Sequence, residues 1–399
     1  MFTIVIGVYL TSLSLPLTSG FSAQVQNDQD KTVLVFGGNG FIGSATTERL
    51  LAKNYSVVLI NRGNWYWDTA DTIRPRVIHW KCDRMQSLQR CTGLQDYIWN
   101  EHKTMLFDAV IDFSAYHAFE INEALNMLHG RIKRYIYISS DSVYDVCNKT
   151  HAGLTREQDA VRPCESKDRE LYKQKDDYGN RKLECEEELH TMFNREGGVP
   201  YVTLRLPDVI GPRDNTYRWW IYQLWVKLAD YIDKPLSVPK RFWNQPISFV
   251  YSHDVADVIL DVINAGSEID NQAFNLALDE TPTLRQFLHS LMDILDTDDI
   301  DIEMDESQDA FHLFPSVRSG PLDVTKAKSL LDWKPTSWID ILDANVAFYE
   351  NAMKQKQFVD ARKDVVRTIQ QYLTRTPSKV VRGLLDKYNI ALKDRHEEL

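Results

Sequence analysis

Tyr178 and Lys182, four residues apart, are the two side chains of this sequence best suited to move a proton together. The residues that follow, 183–190, have a helical pattern, and four-residue spacing on a helix places both side chains on one face. A free phenol has a pKa of about 10, too high for a base at neutral pH, and a neighbouring ammonium lowers that pKa by favouring the phenolate. The pair predicts a tyrosine acid/base, although this spacing also occurs by chance in structural helices.

Ser140 is a second candidate for the same chemistry. It lies where a buried-looking strand, 134–139, ends in a run of hydroxyl residues. In an open parallel sheet the carboxyl ends of the strands face the ligand crevice. We therefore expect Ser140 to hydrogen-bond a substrate oxygen while Tyr178 exchanges its proton.

Three glycines spaced three apart, Gly37, Gly40 and Gly43, follow the apolar run 33–36 and precede a helix-like segment. The first would allow a tight turn, the second a close approach of backbone to a pyrophosphate, and the third close packing of helix on sheet. The phosphates would then bind the free N–H groups at the helix N-terminus. Because strand, loop and helix come in the required order, we predict dinucleotide binding rather than an ordinary turn.

Short apolar runs alternate with longer amphipathic stretches from residue 31 to about residue 205. This alternation predicts an α/β fold with a Rossmann-type, doubly wound parallel sheet. The predicted strands are 32–36, 56–61, 76–81, 109–113, 134–139 and 199–206.

The remaining chain is predicted to form a smaller C-terminal substrate-binding lobe and a tail. We assign 31–206 to the NAD(P)-binding domain and 207–349 to the lobe, with 247–266 returning to the main sheet. The lobe is rich in tryptophan, which favours a hydrophobic core over a sugar-stacking platform. Residues 350–399 are charged and helical and are interpreted as a solvated extension or an oligomer contact.

Composition identifies a globular protein and limits its partners. The chain has 399 residues, 43% of them hydrophobic and 26% charged, with a net charge of −11. An acidic protein is disfavoured as a general binder of nucleic acid or anionic membranes, so we expect a small-molecule substrate and no nucleic acid.

The N-terminus carries an apolar run, 2–17, that is too short to span a bilayer comfortably and is followed by small and polar residues. We predict a secretory signal peptide within residues 1–23, hence the secretory pathway and no stable membrane span. The alternatives are an additional N-terminal strand or an unprocessed anchor, and a cytoplasmic protein.

Five cysteines leave two pairings open in an oxidising compartment. Cys82 could pair with Cys91, or Cys147 with Cys164, which leaves an odd thiol such as Cys185. None of them has a CxxC spacing, so no metal site is predicted.

Six motifs in order, over about residues 32–349, resemble the extended short-chain dehydrogenases/reductases of the NAD-dependent epimerase/dehydratase family. They are the glycine loop, Ser-Ser-x-x-Val-Tyr at 139–144, Tyr-x-x-x-Lys at 178–182, and the segments 205–213, 249–256 and 323–335. Within this group, segments 61–63 and 82–84 are also similar to an atypical branch that includes chloroplast stem-loop RNA-binding proteins.

The resemblance implies a role for each matching residue. Ser140, Tyr178 and Lys182 would be the catalytic triad, with Lys182 also holding the cofactor ribose. Asp83 would contact adenine, and Pro207 would lie beside the nicotinamide. The other residues implied in cofactor binding are Gly37, Asn39, Gly40, Phe41, Ile42, Gly43, Arg84, Phe113 and Ser114.

Departures from the family pattern bear on the ligands. Where an NAD-specific member has an acid, this chain has Arg62, which suits a 2′-phosphate, so NADP is favoured over NAD unless Arg62 is only a solvated loop residue. Asp208 stands where an asparagine often contacts a nucleotide sugar. The usual pyrophosphate-binding arginine is replaced by Ile247 and Ser248.

Three other residues complete the predicted substrate site. Arg213 or Arg241 is expected to substitute for the missing arginine. Asp141 stands where some dehydratases have their acid, but the partnering acid position is Ser142. An epimerase or plain oxidoreductase is therefore favoured over a sugar dehydratase.

The leading hypothesis is an NAD(P)-dependent oxidoreductase or epimerase that transfers a hydride on a sugar-like or other secondary alcohol or ketone, with Tyr178 as acid/base. The alternative is a non-catalytic nucleotide-binding or RNA-binding scaffold of the same fold. A homodimer is expected from the resemblance alone.

Overall fold

A computed structural model describes residues 31–195, 197–297 and 300–390. The predicted signal peptide, 1–23, lies outside the described residues, as does the end of the tail from residue 391.

Eleven strands and thirteen α-helices form within the described part of the chain. The strands are β1 (Thr32–Phe36), β2 (Ser56–Asn61), β3 (Ile78–Lys81), β4 (Ala109–Asp112), β5 (Tyr135–Ser140), β6 (Tyr201–Leu206), β7 (Asp208–Ile210), β8 (Ser237–Pro239), β9 (Phe249–Tyr251), β10 (Gln272–Asn275) and β11 (Glu303–Asp305). The helices are α1 (Phe41–Ala52), α2 (Thr69–Thr72), α3 (Thr92–Asp96), α4 (Ala118–Met127), α5 (Ser166–Lys175), α6 (Asp177–Phe193), α7 (Arg218–Lys227), α8 (Ser252–Asn264), α9 (Leu284–Leu295), α10 (Thr325–Leu330), α11 (Trp338–Lys354), α12 (Val359–Tyr372) and α13 (Pro377–Tyr388).

Seven parallel strands form the central sheet, in the order β10-β6-β5-β4-β1-β2-β3. Its inner strands are apolar and buried on both faces, as the covered strands of a parallel sheet must be. Helices α1 and α8 pack together on one face, and α4 and α6 on the other. The predicted doubly wound α/β fold is confirmed.

The sheet has one strand that was not predicted, and the predicted return of 247–266 to the sheet is made by a helix rather than by a strand. β10 extends the sheet beside β6 although its residues fall in the range assigned to the lobe. In the segment 247–266, β9 pairs with β7 in a separate two-stranded sheet, and α8 rather than a strand packs against the main domain. Pairing of two short strands is set by distant partners, which a local pattern does not contain.

The lobe is built around a cluster of aromatic residues, as expected for its tryptophans. Trp219, Trp220 and Trp225 on α7 are fully buried. The prediction of a solvated tail is wrong for its described part, because α12 and α13 contribute to the same core. Their buried residues there are Ala361, Val365, Val366, Ile369, Val380, Leu384 and Tyr388.

Cys82 and Cys91 form a disulfide, whereas Cys147, Cys164 and Cys185 are free thiols. Among the helices described, none combines the length and apolar character needed to cross a bilayer. Within the same residues, no group of three or more His, Cys, Asp or Glu side chains could hold a metal ion.

Candidate active site

A cavity of about 1420 Å³ opens at the carboxyl ends of the central strands. Ser140 at the end of β5, Phe113 just after β4 and Pro207 just after β6 all line it. This is the crevice in which open α/β sheets bind their ligands.

The N-terminus of α1 provides one wall of this cavity and has the features of an anion-binding site. Gly40 caps the helix without a side-chain hydrogen bond, and the first turn contains no acidic residue. Phe41, Ile42 and Gly43 line the cavity, and the first N–H groups of a helix have no partner within it. A β-carbon on Gly43 would lie 2.2 Å from the Gly37 carbonyl oxygen, so only glycine allows the helix to pack this closely on the loop. These features fit a dinucleotide pyrophosphate.

Two residues of the glycine loop lie behind this wall. The Gly37 N–H donates to the Ile60 carbonyl, which ties the loop to the end of β2. The Asn39 side-chain amide donates to the Asn64 carbonyl and thereby holds the segment that follows β2. Neither residue lines the cavity.

Tyr178 lies in the first turn of α6 and faces the cavity. The Asp176 side chain caps this helix by accepting a hydrogen bond from the Gly179 N–H at 2.8 Å. A β-carbon on Gly179 would lie 2.3 Å from the Ser142 carbonyl oxygen, so glycine at this position lets α6 approach the end of β5. The approach brings the Tyr178 phenol and the Ser140 hydroxyl into the wall of the same cavity.

The pKa of Tyr178 is raised, which is opposite to the expected direction. Desolvation by the protein packed around the phenol is the main cause, although Tyr178 is 45% exposed at the cavity wall. The nearby Tyr116 raises this pKa further, and the hydroxyl of Ser140 lowers it. At neutral pH the phenol therefore keeps its proton.

The Lys182 ammonium is bound to backbone carbonyls, and Lys182 is not among the main causes of the Tyr178 pKa shift. Its Nζ donates to the Ile138 carbonyl at 2.6 Å and to the Ala115 carbonyl at 3.2 Å. The side chain is buried but reaches the cavity. Burial lowers the pKa of Lys182 to about 8.

Two carboxyl groups lie next to this triad. Asp141 is buried behind Ser140 and accepts a hydrogen bond from its Oγ at 3.4 Å. Burial raises the pKa of Asp141 well above its ordinary value, and the charges of Asp208 and Asp145 add to the effect. Asp208 lines the cavity and is paired with Arg218 at 2.6 Å.

The structure places the remaining predicted cofactor residues around the cavity rather than in its wall. Arg62 is exposed just beyond β2. The Asp83 carboxylate accepts a hydrogen bond from the Met85 N–H at 3.2 Å. Arg84 is buried and paired with Asp112. Ser114 lies beneath the glycine loop, with its Cβ 3.3 Å from a β-carbon built on Gly37.

Arg213 and Arg241 do not lie in the cavity wall, so the predicted replacement for the pyrophosphate-binding arginine is wrong. The Arg213 guanidinium pairs with Asp68 at 2.6 Å and with Glu48 at 2.9 Å. Arg241 donates to the Gln308 carbonyl at 3.0 Å. All three partners come from segments far away in the sequence, so the local pattern could not reveal that these arginines are already hydrogen-bonded within the protein.

The sequence motifs missed several cavity residues. The Tyr116 ring lies 6.0 Å from the Tyr178 ring and 5.3 Å from the Lys182 Nζ. Its position just after β4 was the available signal, since strand ends of this sheet face the crevice. Arg218, Arg318 and Asn215 also line the cavity, and no motif distinguished them.

Comparison with protein families identifies one match. The profile described as the NAD dependent epimerase/dehydratase family matches residues 33–277. No curated protein matches the chain.

Solved structures with the same fold include sugar-nucleotide enzymes. UDP-glucose 4-epimerase from Thermotoga maritima, solved with UDP-glucose, has a TM-score of 0.63 and 20% identity, covering 81% of this chain and 99% of its own. dTDP-glucose 4,6-dehydratase from Bacillus anthracis, in complex with NAD, has a TM-score of 0.62 and 18% identity, covering 82% and 98%. UDP-glucuronic acid 4-epimerase from Bacillus cereus, with UDP-glucuronic acid and NAD, has a TM-score of 0.60 and 19% identity, covering 80% and 99%. At these identities the similarity establishes the fold.

Proposed function

The chain belongs to the NAD dependent epimerase/dehydratase family, and we propose that it is an NAD(P)-dependent oxidoreductase or epimerase with Tyr178 as acid/base. Its substrate would be a secondary alcohol or ketone of a sugar-like molecule. One observation carries the proposal: the Tyr178 phenol, the Ser140 hydroxyl and the uncapped N-terminus of α1 face the same cavity.

The residues divide the chemistry between them. When bound, the nicotinamide would accept a hydride from the alcohol carbon or return it to the ketone. Tyr178 holds a proton at neutral pH and would donate it to a ketone oxygen, while Ser140 orients that oxygen. In the reverse direction the phenolate left by that donation would take the hydroxyl proton of the alcohol. Lys182 uses two of its three donors on backbone carbonyls, which leaves one for a ribose hydroxyl.

The size of the cavity supports two ligands. Its volume of about 1420 Å³ exceeds the ~300–1,000 Å³ of a typical small-molecule site. A dinucleotide on α1 would leave room beside Tyr178 for a second molecule. The neighbours of this fold were solved with UDP-glucose or UDP-glucuronic acid, so nucleotide sugars are the first substrates to test.

Activity on nucleotide sugars is the test of this proposal. The purified chain would be incubated with NAD or NADP and with UDP-glucose, UDP-glucuronic acid or dTDP-glucose, and the products separated by chromatography. We expect an epimer or an oxidised sugar from at least one mixture. A chain that binds neither dinucleotide would overturn the proposal.

We also propose a preference for NADP, which rests on Arg62. Arg62 is exposed just beyond β2, and its positive charge lowers the pKa of Tyr116 at the cavity wall against the larger effect of burial. A cation there would pair with a 2′-phosphate.

The substitution Arg62→Ala tests this preference. We expect the Kd for NADPH to rise about tenfold, equivalent to about 1.4 kcal/mol, and the Kd for NADH to change less than about twofold. The control is Arg76→Ala, which removes an exposed arginine at the start of the segment leading to β3. Equal weakening of both dinucleotides by Arg62→Ala would contradict the preference.

The Cys82–Cys91 disulfide supports an oxidising compartment, and we retain the secretory pathway as the proposed location. N-terminal sequencing of the mature protein tests it. Removal of about the first twenty residues is expected, and an intact N-terminus would contradict the proposal.

A further inference from the structure

The Cys82–Cys91 disulfide closes a short segment between β3 and α3. Cys82 follows β3, and its N–H donates to the Asn61 carbonyl at 2.7 Å, so one end of the segment is fixed to β2. Cys91 immediately precedes α3. The bond therefore holds both ends of a segment, nine residues apart in the sequence, that contains Asp83 and Arg84.

Arg84 points from this segment into the interior, under the ends of β1 and β4. It is 6% exposed, and its Nη1 lies 2.7 Å from each carboxylate oxygen of Asp112. The same nitrogen donates to the Ser114 Oγ at 3.2 Å. The guanidinium carbon lies 4.2 Å from the centre of the Phe36 ring, the residue that precedes the glycine loop.

Asp112 connects Arg84 to the turn that forms part of the cavity wall. Its Oδ1 accepts hydrogen bonds from the Ser114 and Ala115 N–H groups, each at 2.9 Å. These bonds set the turn after β4, which includes Phe113 in the cavity wall. Ser114 and Phe113 in turn lie directly beneath Gly37.

We propose that Arg84, held in place by the Cys82–Cys91 disulfide, is a positioning residue for the cofactor. It does not line the cavity but fixes the two turns, at 37–43 and 113–115, between which a dinucleotide would bind. The inference rests on the proposed function, because it concerns the affinity of the same dinucleotide site.

The physical basis is the cost of disturbing a buried ion pair. Opening the disulfide removes one attachment of the segment 83–90, another being the hydrogen bonds of Ser87 and Leu88 to Glu123 on α4. Any displacement of Arg84 then leaves Asp112, a buried carboxylate, with a less complete set of donors. The turn after β4 would then sample more conformations. A dinucleotide would have to order this turn on binding, which reduces the favourable free energy of binding. A weaker affinity with an intact fold is the expected result.

The first experiment measures the Kd for NADH by nicotinamide fluorescence in the full chain, before and after reduction by a phosphine. The phosphine supplies two electrons to the disulfide, water supplies the two thiol protons, and the water oxygen leaves as phosphine oxide. We expect the Kd to rise by about three- to tenfold, and the double variant Cys82→Ser, Cys91→Ser to have the same raised Kd with no further response to phosphine. The control is Cys164→Ser, an exposed free thiol, which should respond as the wild type does.

The second experiment separates positioning from general destabilisation. Arg84→Lys keeps the charge but loses the planar guanidinium, whose Nη2 donates to the Glu120 carbonyl at 2.8 Å and whose face lies on Phe36. We expect it to raise the KM for the cofactor with little change in kcat, and to make the Kd for NADH insensitive to phosphine, because the disulfide acts through Arg84. Arg131→Lys is the matched control, since Arg131 also donates to backbone carbonyls and lies on an aromatic ring, Trp99, but precedes β5 at the opposite end of the sheet.

An unchanged Kd for NADH after reduction, or a wild-type Kd and phosphine response in Arg84→Lys, would overturn this inference while leaving the proposed function intact. Failure of every form of the chain to bind NADH or NADPH would instead overturn the proposed function, and this inference with it.

Discussion

Lys182 carries a positive charge inside the protein. Its ammonium donates hydrogen bonds to two carbonyl oxygens, and the residue is buried. Burial lowers its pKa from 10.5 to about 8, so the folded chain releases this proton more readily than the unfolded chain does. Between pH 8 and 10.5 the unfolded state therefore binds more protons, and the free energy of unfolding rises with pH. Below pH 8 the buried charge lowers the free energy of unfolding by its full amount, about 3 kcal/mol.

Comparison of the wild type with Lys182→Met tests this cost at the residue scale. The free energy of unfolding would be measured with denaturant at about pH 7 and about pH 10. We expect the wild type to gain stability relative to Lys182→Met as the pH rises, because only the wild type loses the buried charge. A constant difference between the two proteins would show that the ammonium is solvated in the fold.

Local spacing predicted which residues face the cavity but not which groups bind the charged side chains. The four-residue interval between Tyr178 and Lys182 places both on α6, and the strand end places Ser140 beside them. The carbonyls that bind Lys182 come from positions 44 and 67 residues away, and the carboxylates that bind Arg213 from 145 and 165 residues away. Such partners are set by tertiary packing, and so is the desolvation that raises the Tyr178 pKa instead of lowering it.

At the scale of elements, α6 is fixed to the sheet by a buried ion pair one turn after Lys182. The Glu186 carboxylate accepts from the Arg205 Nη2 at 2.6 Å and from the Ser139 Oγ at 2.6 Å. Arg205 lies on β6 and Ser139 on β5, so this single carboxylate sets the position of α6 against two strands. Tyr178 and Lys182 depend on that position.

Replacing Glu186 with leucine is expected to destabilise the fold by about 3–5 kcal/mol, because it leaves the Arg205 guanidinium buried without its partner. Turnover at about 20 °C in the protein that remains folded should also fall, since the Tyr178 phenol is displaced. The control is Glu187→Leu, which removes a half-exposed carboxylate from Arg162. It should cost less than about 1 kcal/mol, because Arg162 keeps its hydrogen bonds to Asn180. Equal costs for the two substitutions in denaturant unfolding would contradict this role of Glu186.

Strong patterns predicted the long strands, and weak ones failed at the short strands. β1 and β2 match their predicted ranges, since runs of apolar β-branched residues fill them. β10 has only four residues, Gln272–Asn275, with two of them half-buried, and it joins the sheet because β6 offers a free edge. No local signal distinguishes such a segment from a loop.

At the scale of the whole molecule, the lobe and the main domain are joined through the segment that follows β2. Trp67 leaves the main domain and packs into the aromatic core of the lobe, with ring centroids 5.5 Å from those of Trp220 and Phe358. Asp68 next to it pairs with Arg213 of the lobe. Because Phe358 belongs to the tail, the described tail helps to fix the lobe over the crevice, which the charge pattern of residues 350–399 did not indicate.

Ile369→Ala tests whether α12 is part of the core. Ile369 is fully buried, so we expect a loss of about 2–5 kcal/mol in the free energy of unfolding. Arg367→Ala on the same helix removes an exposed side chain and should change stability by less than about 0.5 kcal/mol. If both variants unfolded at the same denaturant concentration as the wild type, the tail would be a solvated extension after all.

The most direct test of the account follows the near-ultraviolet absorbance of the reduced nicotinamide in a single turnover, with the nucleotide sugar that proves to be a substrate. We expect Tyr178→Phe to bind the dinucleotide normally but to change its oxidation state at least about 100-fold more slowly than the wild type. Tyr201→Phe, a buried tyrosine on β6, should behave as the wild type does. Oxidation or reduction of the nicotinamide at the wild-type rate in Tyr178→Phe would contradict the assignment of this phenol as the acid/base.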